Sequence, residues 1–140
     1  MENQHKKLKI ISVSSEDVKF LYELLIERDP KANISHKKMP TFQEHTKFVD
    51  SRPYKKWYVI KLENRKIGSV YLTKQNEIGI FIKKEYQGNH FGNQILKLLI
   101  DKNPEKRFLA NVNPKNTKSI NFFKKNNFKL IQHTYELELD

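Results

Sequence analysis

The stretch that decides the fold is Glu77-Ile78-Gly79-Ile80-Phe81-Ile82-Lys83-Lys84-Glu85-Tyr86-Gln87-Gly88-Asn89-His90-Phe91-Gly92-Asn93. Its first part is rich in β-branched and aromatic residues, which predicts a strand over about 77–83. Phe91, Ile95, Leu98 and Leu99 then recur at helical spacing, so a helix follows the loop and stops before Asn103-Pro104. A helix N-terminus leaves backbone N–H groups unpaired with partial positive charge, and glycines let a loop close around oxygen atoms without Cβ clashes. Such a loop can hold a pyrophosphate through its main chain. The Walker loop is excluded, because Gly92 is followed by Asn93 and Gln94 rather than by Lys and Ser or Thr. A dinucleotide fingerprint needs three glycines in a parallel-sheet unit, whereas this loop has Gly88 and Gly92 and follows what reads as an antiparallel hairpin. Two glycines that merely ease a strand into a helix are the plain alternative.

Upstream of this stretch, Leu8 to Val13 alternate as a first strand. Ser14 or Ser15 caps a helix with an apolar stripe of Val18, Leu21, Tyr22, Leu25 and Ile26 that ends near Asp29-Pro30. Residues 31–39 have no periodicity. Thr41-Phe42-Gln43-Glu44 is a capping box that opens a second helix carrying Phe42, His45, Phe48 and Val49 inward. Trp57 to Leu62 and Ile67 to Leu72 read as two strands joined by Glu63-Asn64-Arg65-Lys66.

Downstream, Phe108, Ala110 and Val112 alternate as a strand and Asn113-Pro114 turns the chain. Ile120, Phe122 and Phe123 then lie on a helix ending near Asn126-Asn127. Two last strands are expected at about 128–132 and 134–139. The sequence thus predicts one domain over residues 1–140, of the α/β (α+β) class. Its order is βααβββαβαββ, with a mixed, mostly antiparallel sheet of about six to seven strands and helices on both faces.

Length and composition bound the function. At 140 residues the chain supports one core. It contains no cysteine, which excludes disulfides, zinc–thiolate sites and a thiol nucleophile. No apolar run approaches the ~20 residues of a membrane span, and Met1-Glu2-Asn3-Gln4-His5-Lys6-Lys7 lacks a signal-peptide core, so a cytoplasmic protein with no membrane partner is expected. Net charge is +11, spread along the chain, which favours an anionic ligand. Histidines and carboxylates show no metal-ligand spacing, so no metal is expected.

The loop resembles the pyrophosphate motif of the GNAT acetyltransferases, which runs Arg or Gln, two variable residues, Gly, any residue, then Gly or Ala. In this chain the pattern Gln-Gly-x-x-x-Gly is matched by Gln87, Gly88 and Gly92, with His90 at a position where the family very often has glycine. Asn113-Pro114-Lys115-Asn116-Thr117-Lys118-Ser119 and the following Phe122-Phe123 to Phe128 resemble the second cofactor motif of the same family. Phe123 stands where the family commonly has a tyrosine that protonates the leaving thiolate. The resemblance implies acetyl-CoA (coenzyme A) as acyl donor. Phe81, Ile82 and Lys83 would pair with the pantetheine arm, and Gln87, Gly88, Asn89, His90, Phe91, Gly92 and Asn93 would take the pyrophosphate. Asn116 and Ser119 would lie at the cofactor, although Asn116 reads equally well as a plain helix cap.

For acyl transfer to an amine, the enzyme must hold the amine against the carbonyl, remove a proton and stabilise an oxyanion. By resemblance Glu77 is the candidate base, with a backbone N–H near Phe81 for the oxyanion; the plain reading of Glu77 is a solvated strand start. His36 and His45 are alternative bases, His36 on the acceptor side and His45 more simply a packed core residue. Tyr86 and Tyr135 are candidate acids, with water as the alternative. The segment from Ile34 to Thr41, with Glu44-His45 and Phe48, further resembles members that acetylate nucleotide-linked amino sugars. The leading expectation is therefore acetylation of a small, anionic, amine-bearing molecule. The alternatives are acetylation of a protein N-terminus or lysine, and a nucleic-acid-binding module without catalysis, which the charge permits but no nucleic-acid motif supports. A homodimer is compatible with the sequence.

Overall fold

The computed structural model describes residues 7–28 and 39–140. Their elements run β1 (Leu8–Ser12), α1 (Val18–Glu27), α2 (Phe42–Asp50), β2 (Lys56–Leu62), β3 (Arg65–Leu72), β4 (Ile78–Ile82), α3 (Phe91–Lys102) and α4 (Thr117–Lys125), with 3-10 turns at Ser15–Asp17 and Lys84–Tyr86. The strands form one antiparallel sheet in the order β1-β2-β3-β4. No helix among the described residues is long and apolar enough to cross a membrane.

Alternation decides which helix each strand residue meets. Tyr58, Ile60, Val70 and Leu72 point to one face, where Ile95, Leu96 and Leu99 of α3 complete the main core. Ile60, Val70, Leu72, Ile95 and Leu99 are all 0% exposed, so each side chain contributes about 1.5–3 kcal/mol by burial. A register shift at Ile60/Lys61 leaves an extra residue on β3, and it brings Ile67 into this same core rather than to the opposite face. On the other face Trp57 packs with Val18, Leu21 and Leu24 of α1 and Val49 of α2. Helices therefore cover both faces, as expected.

The starts of the first two helices follow local chemistry. Ser14 and Asp17 form a capping box, and the Asp17 carboxylate also pairs with Lys66 Nζ on β3 at 2.7 Å. Thr41 and Glu44 form the capping box of α2, with bonds of 2.8 and 3.1 Å. On α1 the buried residues are Val18, Leu21 and Leu24, while Ile26 is 62% exposed, so the stripe is rotated toward Leu24 relative to the expectation. On α2, His45 and Val49 are buried, whereas Phe42 and Phe48 stay partly exposed because their rings edge a cavity or Tyr22 rather than the core. The β2–β3 turn is tighter than expected: β3 begins at Arg65, and Glu63 adopts φ 56° to make the reversal.

The three late strands differ from expectation. Residues 108–112 meet the sheet only through a parallel bridge between Leu109 and Glu77, and 128–132 and 134–139 form no strand. The described sheet has four strands, not six or seven. Alternation specifies which face of a strand is apolar but supplies no neighbour, and a strand exists only where a second backbone takes its hydrogen bonds.

Candidate functional site

β4 has one open edge. Lys83 N–H donates to Ile67 O at 2.8 Å, and Thr73 N–H donates to Glu77 O at 2.9 Å. Hydrogen-bonded pairs alternate in an antiparallel ladder, so Gly79, Phe81 and Lys83 turn their backbone groups toward β3, and Ile78, Ile80 and Ile82 turn theirs outward. Ile78 N–H donates to Leu109 O at 2.8 Å. Beyond it no backbone hydrogen bond among the described residues joins 110–112 to Ile80 or Ile82, so the edge of β4 stays open there. The groups available along this open edge thus belong to Ile80 and to Ile82, whose carbonyl also accepts from Gln87 Nε2; of the two only Ile82 was expected from sequence, and Phe81 and Lys83 turn theirs toward β3.

The strand leads through the Lys84–Tyr86 turn into the loop, whose shape is set by side chains. Gln87 Nε2 donates to Ile82 O at 2.8 Å, and Asn89 Nδ2 donates to Tyr86 O at 3.1 Å. Gly88 has φ +84° and nothing within 4 Å of the position a Cβ would take. His90, exposed, sits in the left-handed region with φ 62° and makes no side-chain cap to α3. The first N–H groups of α3 therefore receive no side-chain oxygen, in contrast to α2 and α4, and successive residues of this kind form an anion-binding concavity. Gly92 also has a packing role. A Cβ there would come within 2.8 Å of Phe122 Cε1, so this glycine lets α4 lie against the first turn of α3. Half-buried Phe91 packs against the main core, and Asn93 Oδ1 accepts from Asn126 Nδ2 at 3.0 Å at the same α3–α4 contact.

At the start of α4, Asn116 Oδ1 accepts from Ser119 N–H at 3.2 Å, so Asn116 is a helix cap. Phe123 packs edge-on to Phe122 and Phe128, with both ring centroids 5.0 Å away.

The other face of β4 opens on a cavity of about 600 Å³ between α1, α2 and the sheet, within the usual range for small-molecule sites. Tyr54 and Tyr71 stack in it at 3.9 Å with ring planes 2° apart, Trp57 meets Tyr54 edge-on at 4.8 Å, and Phe81 closes one side. Arg28 lies over the Phe81 ring, 4.3 Å from its centroid. Burial pulls the Arg28 guanidinium down from its ordinary value, opposed by Tyr71 and Tyr54. Burial also raises the hydroxyl of Tyr54 well above its ordinary value and raises that of Tyr71, so both stay neutral. Two buried nitrogens in the cavity, His45 Nε2 and Trp57 Nε1, have no hydrogen-bond partner among the described residues. Burial holds His45 below its usual value and keeps it uncharged.

Glu77, half-buried, immediately precedes β4 and lies on the same face as Gly79 and Phe81. Its Oε1 accepts from Thr73 Oγ1 at 3.2 Å and its Oε2 from Asn111 Nδ2 at 2.9 Å. It is therefore positioned rather than merely solvated. The Tyr71 ring lies directly over Gly79, where a side chain would collide with it, and so stands between Glu77 and Phe81. His36 lies outside the described residues. Tyr86 points away, its hydroxyl 3.5 Å from Arg65 Nη1, and Tyr135 is 88% exposed. Sequence reasoning missed Tyr54, Tyr71 and Arg28. The available signal was Tyr71 facing Gly79 across the β3–β4 pair, since a glycine opposite an aromatic residue leaves room for the ring to lie flat. No group of three or more histidines and carboxylates among the described residues is gathered as for a metal ion.

Comparison with known proteins bears on this arrangement. The ribosomal L7/L12 α-N-protein acetyltransferase RimL, solved in complex with coenzyme A, superposes with TM-score 0.74 at 20% identity, covering 89% of this chain and 81% of that one. A domain from Methanocaldococcus jannaschii gives TM-score 0.79 at 26% identity over 93% of both chains. The spermidine/spermine N-acetyltransferase SpeG from Vibrio cholerae, in mutant form, gives 0.65 at 18% identity, covering 84% and 77%. No curated relative matches the chain. The family model for the acetyltransferase (GNAT) family matches residues 18–128, a span that holds the open edge of β4, the uncapped start of α3 and the aromatic cavity. The chain belongs to the GNAT acetyltransferase family and is an acetyl-CoA-dependent N-acetyltransferase.

Proposed function

We propose that the acetyl group passes directly to a primary amine on an anionic molecule with a flat ring body, a nucleotide-linked amino sugar being the leading member of that class. The observation that carries this reading is the aromatic cavity, which meets the donor strand at Phe81. Stacked tyrosines and Trp57 suit a planar ring, while Arg28 and the unpartnered nitrogens of Trp57 and His45 suit oxygen atoms on it. A polyamine would need carboxylates. Glu44 is the lining carboxylate, and its Oε1 is engaged by Thr41 N–H.

On the donor side, the outward backbone of Ile80 and Ile82 takes the pantetheine arm, and the amides from Gly88 to Asn93 take the pyrophosphate. By the family resemblance, Asn116 and Ser119 also meet the donor. Glu77 is the base. Four residues of strand separate it from Phe81, about 13 Å at 3.3 Å per residue, so it acts through the neutral Tyr71 hydroxyl or a water. The amine loses a proton toward Glu77 and attacks the thioester carbonyl. The oxyanion meets an outward N–H of β4, and the tetrahedral adduct expels the coenzyme A thiolate, which is reprotonated by water. No hydroxyl stands at Phe123 for that last step.

Thiol release from acetyl-CoA across an amine panel tests the reading. Turnover is expected with nucleotide-linked amino sugars and not with spermidine; fastest turnover with spermidine, or with a free peptide N-terminus, would replace this acceptor class.

A further inference from the structure

We infer that Glu27, the last residue of α1, is a positioning residue that couples the donor loop to the acceptor cavity, so that binding of coenzyme A at the loop settles the cavity. This rests on the donor lying along β4 and the loop after it, and not on the identity of the acceptor.

Glu27 stands where local helix chemistry does not favour it. The C-terminal end of a helix carries partial negative charge and suits Lys or Arg in its last turn. Within its last turn α1 has no basic residue, and it ends on a carboxylate instead. A departure from a local rule of this kind points to a contact made elsewhere in the fold. That contact is the Lys84 N–H, which donates to Glu27 Oε1 at 2.6 Å across 57 residues of sequence.

The bond lands on the root of the donor loop. Lys84 opens the Lys84–Tyr86 turn, whose first N–H groups have no acceptor inside the turn, and the preceding Lys83 makes no side-chain cap to it. Glu27 supplies that acceptor from α1. The same turn leads directly into Gln87 and Gly88, and Gln87 Nε2 ties it back to Ile82 O at 2.8 Å. A shift of the loop as it closes on a pyrophosphate is therefore passed to the end of α1.

From α1 the shift reaches the cavity by packing. Arg28, the next residue, lies over the Phe81 ring at 4.3 Å, and Leu21, Leu24 and Leu25 line the cavity from the helix. At the other end, just before α1, the Asp17–Lys66 pair at 2.7 Å holds the chain to β3. One end of the helix is thus tied to the sheet and the other to the donor turn. A ligand acts on a second site only through contacts that differ between its free and bound states, and this bond joins the two sites. Trp57, the sole tryptophan of the chain, packs against Val18, Leu21 and Leu24 of α1 and also lines the cavity, so it reports the movement.

The test titrates coenzyme A into the wild-type chain and three variants, following binding by calorimetry and Trp57 by its fluorescence. Glu27→Ala removes the acceptor oxygen, and Glu27→Gln keeps one. Lys84→Pro removes the donor instead: proline suits the first position of a helical turn, and Lys83 at φ −54°, ψ 141° already has the extended backbone that precedes it. The bond lies at the surface and outside both apolar clusters, so the variants keep their fold, as circular dichroism will register. Saturation with coenzyme A is expected to shift Trp57 emission in the wild type and in Glu27→Gln. Glu27→Ala and Lys84→Pro should bind coenzyme A with at most a several-fold rise in Kd and lose most of that shift at saturation. A merely structural tie would lower their melting temperature and leave the shift intact, which overturns the coupling. Wild-type emission indifferent to bound coenzyme A, or a glutamine variant that behaves like the alanine one, overturns it as well. Absence of coenzyme A binding to the wild type would overturn the donor site on which the coupling rests, and the calorimetry tells the two failures apart.

Discussion

Gly88 and Gly92 lie four residues apart in one loop-helix junction, yet their substitution by alanine should fail in different ways. Gly92→Ala gains about 1 kcal/mol of helix propensity, but its methyl enters the edge of the Phe122 ring, and overpacking costs about 1–3 kcal/mol. The clash wins, because Phe122 is itself wedged against Phe123 at 5.0 Å. Urea denaturation should show a loss of roughly 1 kcal/mol, with little change in the KM for acetyl-CoA. Gly88→Ala has open space around it but a φ of +84°, which costs about 1–2 kcal/mol in the left-handed region. The loop relaxes instead, so the KM for acetyl-CoA should rise several-fold with a smaller loss of stability. Equal effects on KM from both would mean that Gly92 also approaches the phosphates. For Glu77, replacement by Gln keeps the bond from Asn111 in place and removes the base. A fall in kcat of about 10²-fold is expected, with an unchanged KM for acetyl-CoA and a changed pH–rate profile; an unchanged profile removes Glu77 from the mechanism. Tyr71→Phe should lower kcat in the same direction if the hydroxyl relays the proton.

At the scale of elements, the sequence was most readable where an element carries its own reasons. The capping box at Thr41, the cap at Asn116 and the periodicity of Phe91 to Leu99 placed α2, α4 and α3 from local chemistry alone. β1 to β4 were readable because each has an antiparallel neighbour close along the chain or a strong apolar face. Residues 108–112, 128–132 and 134–139 have the same alternation but no ladder with another strand among the described residues, and alternation alone does not report on that. The donor loop was legible for a similar reason: Gly88 and the strand-to-helix transition act locally. The cavity was not, since Arg28, Tyr54, Tyr71 and Trp57 come together only when α1, α2, β2 and β3 pack. α2 carries a testable consequence of that packing. His45 is 6% exposed and burial lowers its proton affinity, so the fold prefers it neutral. Its contribution to stability is complete above its ordinary value of 6.5 and is lost as pH falls below that. Thermal melts should therefore show Tm falling between about pH 7.5 and pH 5, and His45→Phe should flatten that slope. A slope unchanged by the substitution would assign it to another group. Asp17 acts lower: burial raises its carboxyl, but the Lys66 ion pair and the Ser14 bonds outweigh this, so its contribution is lost only as pH falls below about 3.8.

For the whole molecule, the governing quantity is the imbalance of 27 lysines and arginines against 16 aspartates and glutamates. Main-chain amides at the start of α3 supply the short-range grip on a pyrophosphate, and they act over a few ångströms whatever the salt. The net charge acts farther, over a Debye length of about 10 Å at 0.1 M salt, and it draws a polyanionic donor toward the basic surface before those amides are reached. The two contributions separate by ionic strength. Raising salt from about 50 to 300 mM should raise the KM for acetyl-CoA several-fold through the long-range part. Meanwhile kcat at saturating donor and amine should change less than about twofold, since the bound complex keeps its amide contacts and the reacting amine lies in a partly dry cavity. Steady-state kinetics across that range checks both halves. A KM indifferent to salt would mean that the amides alone hold the donor and that the lysine excess serves something other than catalysis.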